Sequence, residues 1–125
     1  MSRSGDFDHI VEMFTAFGPV AVRRMFGGAG LYADDVMFGL VSEGVIYLKS
    51  DDRSRPAFEA EGLGPFTYGK AEKRVVMSYW RMPDRLYDDP DELARWAAEA
   101  LAAARRGQDA GRGRAKRRRS GPDKR

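Results

Sequence analysis

The stretch R-R-M-F-G-G-A-G-L-Y, Arg23 to Tyr32, sets two adjacent glycines and a third two residues on inside an apolar, aromatic run. A glycine loop that cradles phosphate needs a strand before it and a helix directly after it, so that the helix N-terminus faces the anion. Here the residues that follow, L-Y-A-D-D-V-M-F-G-L-V at 31–41, have strand composition and no helical stripe. The dinucleotide spacing G-x-G-x-x-G also fails, because no glycine follows Gly30 until Gly39, and a P-loop lacks its Lys-Ser/Thr. Gly27, Gly28 and Gly30 therefore read as a turn or bulge between paired strands, where a positive φ or a close backbone approach excludes a side chain. The stretch points to an antiparallel sheet and away from a nucleotide fold.

Working outward, Phe7, Ile10, Val11, Phe14 and Phe17 recur at helical spacing over Asp6 to Phe17, with Asp6 placed to cap and Gly18-Pro19 to stop the helix. Short apolar pieces from Val20 to Lys49 read as strands joined by tight turns at Asp34-Asp35 and Ser42-Glu43-Gly44. A short helix follows, starting near Ser54 with Pro56 in its first turn and ending at Gly62, with Leu63 making an apolar contact. P-F-T-Y-G-K and R-V-V-M-S-Y-W then form a second pair of strands. The last helix announces itself in D-D-P-D-E-L: Asp89 is the cap, Pro90 the first helical residue and Glu92 the third, a capping box in its Asp form. Leu93, Trp96, Ala97, Ala100, Leu101 and Ala104 form its buried stripe. The fold class that results is α+β, a two-layer α-β(3)-α-β(2)-α domain with helices covering an antiparallel sheet.

Charge divides the chain in two. Residues 1–104 hold 12 Lys or Arg against 17 Asp or Glu, a net −5, while residues 105–125 hold 10 against 2, a net +8. We read 1–104 as the folded domain and 105–125 as a disordered basic tail, since that tail has no apolar residue beyond Ala to offset the cost of ordering. Polyanions are its natural partners, and Arg112, Arg114, Lys116, Arg117, Arg118 and Arg119 are the candidate nucleic-acid contacts. Such contacts would be nearly blind to base sequence. The absence of cysteine excludes disulfides, thiolate metal sites and thiol catalysis. No apolar run approaches the roughly 20 residues of a membrane span, and Asp6, Asp8 and Glu12 interrupt any signal peptide. The expected compartment is the cytoplasm.

Three blocks carry a family resemblance: R-R-M-F-G-G-A-G-L-Y-A-D-D-V-M-F-G-L-V at 23–41, Y-L-K-S-D-D-R-S-R-P-A-F-E-A-E-G-L-G-P-F-T-Y at 47–68, and M-S-Y-W-R-M-P-D-R-L-Y-D-D-P-D-E-L-A-R-W-A at 77–97. In order and spacing they resemble the TfoX/Sxy N-terminal domain family over about residues 18–104. The resemblance implies the same α-β(3)-α-β(2)-α fold and a bacterial, non-enzymatic regulatory domain without cofactor. The best-known members regulate natural competence with the cyclic-AMP receptor protein at promoters of DNA-uptake genes. The expected partners are therefore a transcription protein of that kind and, through the tail, nucleic acid, with self-association through an edge strand as a further expectation. Full-length competence regulators carry a second helical domain, whereas here the domain is followed by R-R-G-Q-D-A-G-R-G-R-A-K-R-R-R-S-G-P-D-K-R.

The residues themselves suggest no catalyst. His9 is the single histidine, and on a helix Asp6 would neighbour it while Asp8 points elsewhere, so no metal set converges. The cluster Asp88 to Glu92 is accounted for by capping and the helix dipole. Ser78 has no nucleophile elbow. Tyr47, Lys49, Tyr68, Tyr79, Trp80 and Arg81 place aromatic and basic groups on strands, which suits either an aromatic core or a base-stacking face. Arg23 and Arg24 must point to opposite sides of their strand, one of them exposed or paired with Asp34 or Asp35.

Overall fold

The structure, a computed structural model, describes the backbone of residues 5–25, 28–68 and 75–120, and side chains over 7–25, 28–67 and 78–109. In chain order the elements are α1 (Gly5–Met13), β1 (Ala21–Met25), β2 (Gly28–Ala33), β3 (Val36–Ser42), β4 (Val45–Lys49), α2 (Arg55–Ala60), β5 (Pro65–Tyr68), β6 (Val75–Arg81), a 3-10 turn (Asp84–Asp88) and α3 (Pro90–Ser120). The six strands make one antiparallel sheet in the order β1-β2-β3-β4-β6-β5. The α+β class is as expected, with one correction: four strands precede α2 where three were counted. The extra strand arises because V-A-V-R-R-M and A-G-L-Y-A-D each pair as a strand of their own, forming the β1–β2 hairpin.

Each hairpin turn has its own chemistry. Asp34 and Asp35 both hold positive φ, 52° and 64°, as do Glu43 and Gly44 at 51° and 78°. Those are the two-residue turns whose twist matches that of the flanking strands, and Asp tolerates the left-handed region better than most residues. The fully buried side chains collect on one sheet face. Leu31, Phe38, Ile46 and Leu48 pack there against Ile10 and Phe14, Phe58, and the Leu93, Ala97 and Ala100 stripe. Alternation sends Tyr47 and Leu40, which pair across β3 and β4, to the opposite face.

A bulge in the sheet lies in β3. Leu31 pairs with Gly39 and Tyr32 with Met37, leaving Phe38 as the extra residue. That residue is fully buried, edge-on to Phe14 with ring centroids 5.6 Å apart. Gly28 and Gly30 are paired strand residues. A Cβ on Gly28 would collide with the Val41 backbone carbonyl, and one on Gly30 would press on Tyr32, Met37 and Met25 side chains. Close approach, rather than a positive φ, is what both positions demand. Gly27 lies outside the described residues.

The helices differ from expectation at their ends. α1 stops at Met13, and Phe14 to Phe17 form turns closed by Gly18 N–H donating to the Phe14 carbonyl at 2.9 Å. Asp6 sits inside α1, with its side chain outside the described residues. α2 ends as expected: Gly62 has φ 75°, its N–H donates to Glu59, and Leu63 N–H donates to Phe58. This pair of hydrogen bonds satisfies carbonyls of the last helical turn. α3 continues past Ala104 to Ser120, and Arg105 and Arg106 hold carboxylates of the domain. Burial ends with the apolar stripe, and the helix runs on through alanine and arginine, which favour it, and through Gly107, Gly111 and Gly113, which do not.

Candidate functional site

α3 is fixed at two points, and the geometry of each follows from local sequence. At its start the Asp89 carboxylate accepts the Glu92 N–H at 3.1 Å, with Pro90 as the first residue of the helix. The Glu92 carboxylate does not close the capping box. It accepts instead from Arg85 Nε at 3.0 Å and Nη2 at 2.7 Å, and from the Trp96 indole at 3.3 Å. The same guanidinium donates twice to Glu61, at 2.7 and 2.9 Å, so Arg85 joins the end of α2 to the start of α3. Its hydrogen bonds hold both carboxyls below their ordinary range. Below this turn the Tyr87 hydroxyl accepts the Ile46 N–H at 3.0 Å, completing the pairing of a buried strand end.

The second fixing point lies four turns on. Arg105 donates to Asp34 at 2.8 Å, and Arg106 donates to Asp51 through Nε at 2.7 Å and Nη2 at 3.0 Å. Asp51 also accepts the N–H groups of Arg53 and Ser54, both at 3.1 Å, while the Ser54 hydroxyl accepts the Asp51 N–H at 3.0 Å. The Arg106 hydrogen bond, chiefly, drives the Asp51 carboxyl well below the usual carboxylate range. Arg23 pairs with Asp35 at 3.4 Å and lies 4.3 Å over the Tyr32 ring, whereas Arg24 lies over Phe7 on the helix side. Each carboxylate of the Asp34-Asp35 turn thus faces its own guanidinium. That neutralises two like charges held side by side.

Nothing local signals the Asp34–Arg105 and Asp51–Arg106 pairs, whose members stand 71 and 55 residues apart in the chain. The sequence reading assigned both arginines to the tail. The candidate contacts Arg112, Arg114, Lys116, Arg117, Arg118 and Arg119 belong to the α3 backbone, and their side chains lie outside the described residues. The strand aromatics are divided between the two faces. Tyr47 pairs with Arg81 on the face away from the helices and lies against Phe66 at 4.9 Å, while Trp80 lies near Phe58 on the helix side. Tyr79 is buried, and the Tyr68 side chain lies outside the described residues. Among the described residues no three His, Asp or Glu side chains converge as a metal set, and no helix is long and apolar enough to cross a membrane.

The described elements form a two-layer α+β domain whose last helix is fastened to the rest and runs on into basic sequence. Comparison with known proteins gives that architecture a family. The chain matches the TfoX N-terminal domain over residues 12–104, and it belongs to that family. It is 29% identical over 93 residues to Protein Sxy of Escherichia coli (strain K12), an alignment that covers 74% of this chain and 44% of that protein. To the DNA transformation protein TfoX1 of Aliivibrio fischeri it is 29% identical over 104 residues, 80% of this chain and 50% of that protein. The chain spans about half the length of the curated relatives it matches.

Proposed function

We propose that this protein is a non-enzymatic regulatory domain that acts in transcription by docking on a protein partner, with DNA held nearby by its basic C-terminal segment. The observation that carries the reading is the course of α3. It is fastened to the domain at Arg105 and Arg106 and continues into the sequence that contains Arg112, Arg114 and Lys116 to Arg119. A segment with a net +8 leaves a domain with a net −5, so polyanions are drawn to one end of the molecule and repelled from the rest. Membership in the TfoX N-terminal domain family supports the regulatory part, and the name of one relative, a DNA transformation protein, supports a role connected with DNA transformation. A protein partner of the cyclic-AMP receptor kind is the expected target of the domain.

The second reading is a small nucleic-acid-associated protein in which the basic segment supplies all the affinity and the domain none of the selectivity. Fluorescence anisotropy with labelled duplex and single-stranded DNA separates the two. The full chain is compared with a chain ending at Asp109, which keeps Arg105 and Arg106, at low and physiological salt. The full chain should bind with a log–log salt slope of about −5, as about six phosphate contacts require, and the shortened chain should not bind. Equal binding by both would sink the tail assignment and turn attention to Arg81 and Tyr47 on the open sheet face. A promoter-specific effect that survives in the shortened chain would favour the protein-partner reading over the second.

A further inference from the structure

A cavity of about 260 Å³ opens between α2 and α3, away from the basic segment and from the open sheet face. Its lining is mainly apolar. Phe58 and Trp96 meet edge-on at 5.1 Å and 78° to form its aromatic wall, and the short side chains of Ala57 and Ala100 leave the space beside them empty. Three cations also line it: Lys49 from the end of β4, Arg53 from the turn before α2, and Arg95 from α3.

The pairing of the arginines sets this cavity apart. Arg23, Arg55, Arg81, Arg85, Arg105 and Arg106 each hold a carboxylate within 4 Å. Among the described residues, neither the Arg53 nor the Arg95 guanidinium makes an ion pair or a hydrogen bond, and both border this one cavity. Lys49 gives its Nζ to the Ser78 hydroxyl at 2.6 Å and lies 5.1 Å over the Tyr79 ring, with Asp51 acting on it at longer range. Glu99 is the one acidic residue of the lining, so the cavity carries a net +2 on a domain whose net charge is −5. Two guanidinium groups with no carboxylate within 4 Å, Arg53 and Arg95, beside an aromatic wall have the donor set of a site for a flat anion, and Glu92 acts on Arg95 only at longer range.

We infer that this cavity is a binding site for a small anion bearing an aromatic ring, the ring lying against Phe58 and Trp96 and the carboxylate or phosphate held by Arg53 and Arg95. The volume admits a single or fused ring with one acidic group and is too small for a folded segment or a peptide chain. Because α2 and α3 form the two walls, an occupied site would join the elements that Arg85 also ties together.

The test is a titration of the full chain followed by the indole N–H resonance of Trp96, assigned with W96F. The probes are 2-naphthoate and 2-naphthyl phosphate, with neutral 2-naphthamide and inorganic phosphate as controls. At least one of the two aromatic anions should shift the Trp96 resonance saturably with a Kd at or below about 1 mM, a level ordinary for ligands of this size. The tighter of the two tells whether carboxylate or phosphate is preferred. R53Q/R95Q, which alters exposed side chains only, should weaken that binding about tenfold with Tm unchanged. No saturable shift from either anion by about 10 mM would overturn the assignment. So would equal binding of the neutral amide, or undiminished binding by a folded R53Q/R95Q chain.

Discussion

The two halves of α3 share one backbone and almost nothing else. From Pro90 to Ala104 the helix buries Leu93, Ala97, Ala100, Ala103 and Ala104 against the sheet, and its stability is tertiary. From Arg105 to Ser120 the sequence offers eight Lys or Arg, one Asp and no apolar residue beyond Ala. Arg105 and Arg106 stand at the join, where hydrophobic contact gives way to charge. The contrast shows that an apolar stripe marks where a helix stops packing and does not mark where it stops being a helix.

That contrast can be broken from the packed side first. Leu93→Ala removes a side chain that is fully buried beneath the first half and should cost about 2–5 kcal/mol, read as a loss of denaturation midpoint. No substitution of similar size between residues 110 and 120 should approach it. If one does, the second half packs on something and the division proposed here is wrong.

The join comes next. Asp51→Ala removes the bidentate partner of Arg106 and two backbone acceptor contacts, and should cost about 1.5–3 kcal/mol. Asp51→Asn keeps an oxygen for the Arg53 and Ser54 N–H groups, and should cost less than the alanine variant. The pair also sets a pH signature. The folded-state pKa of Asp51 is depressed, so its contribution is present above the unfolded value of about 4 and is lost as pH falls through the lower folded value. Thermal unfolding followed downward from pH 5 should therefore show a steeper loss in the native chain than in Asp51→Asn. Parallel curves would mean that the charge at this position does not matter to the fold.

Smaller effects sharpen the boundary. Arg105 and Asp34 are well exposed, and Arg105→Gln should cost less than about 1 kcal/mol and fade with salt. A chain ending at Asp109 should keep its Tm, its stability changing by no more than about 0.5 kcal/mol, because everything shown to pack lies before that point. A large drop in Tm would place the basic half inside the cooperative unit.

Much of this molecule was legible in its residues, and where it was not the reason is geometric. The α2 terminus at Gly62-Leu63 and the Asp34-Asp35 turn were readable because their chemistry is completed within a few residues of chain. V-A-V-R-R-M, A-G-L-Y-A-D, V-M-F-G-L-V and V-I-Y-L-K were legible as strand pieces, but composition did not say how many of them pair as separate strands. The capping box at Asp89 was half right. Its carboxylate accepts the Glu92 N–H, but Glu92 turns to Arg85, seven residues before it, from a 3-10 turn that no periodicity announced. The Arg53, Arg95 and Trp96 cavity left no trace in the sequence, because α2 and α3 meet only after the chain has crossed β5 and β6.

By itself the sequence determined the class of fold, the helix and turn signals, the division of charge and the family to which the domain belongs. Those depend on periodicity, composition and short-range hydrogen bonding, which act between near neighbours in the chain. Only the tertiary structure decided that Phe38 is a bulge, that Gly28 is required by the Val41 carbonyl, and that Arg105 and Arg106 pair with Asp34 and Asp51. Those depend on which distant groups the folded chain brings within a few ångströms. A pattern along one strand or helix holds no record of the partner that will lie across from it.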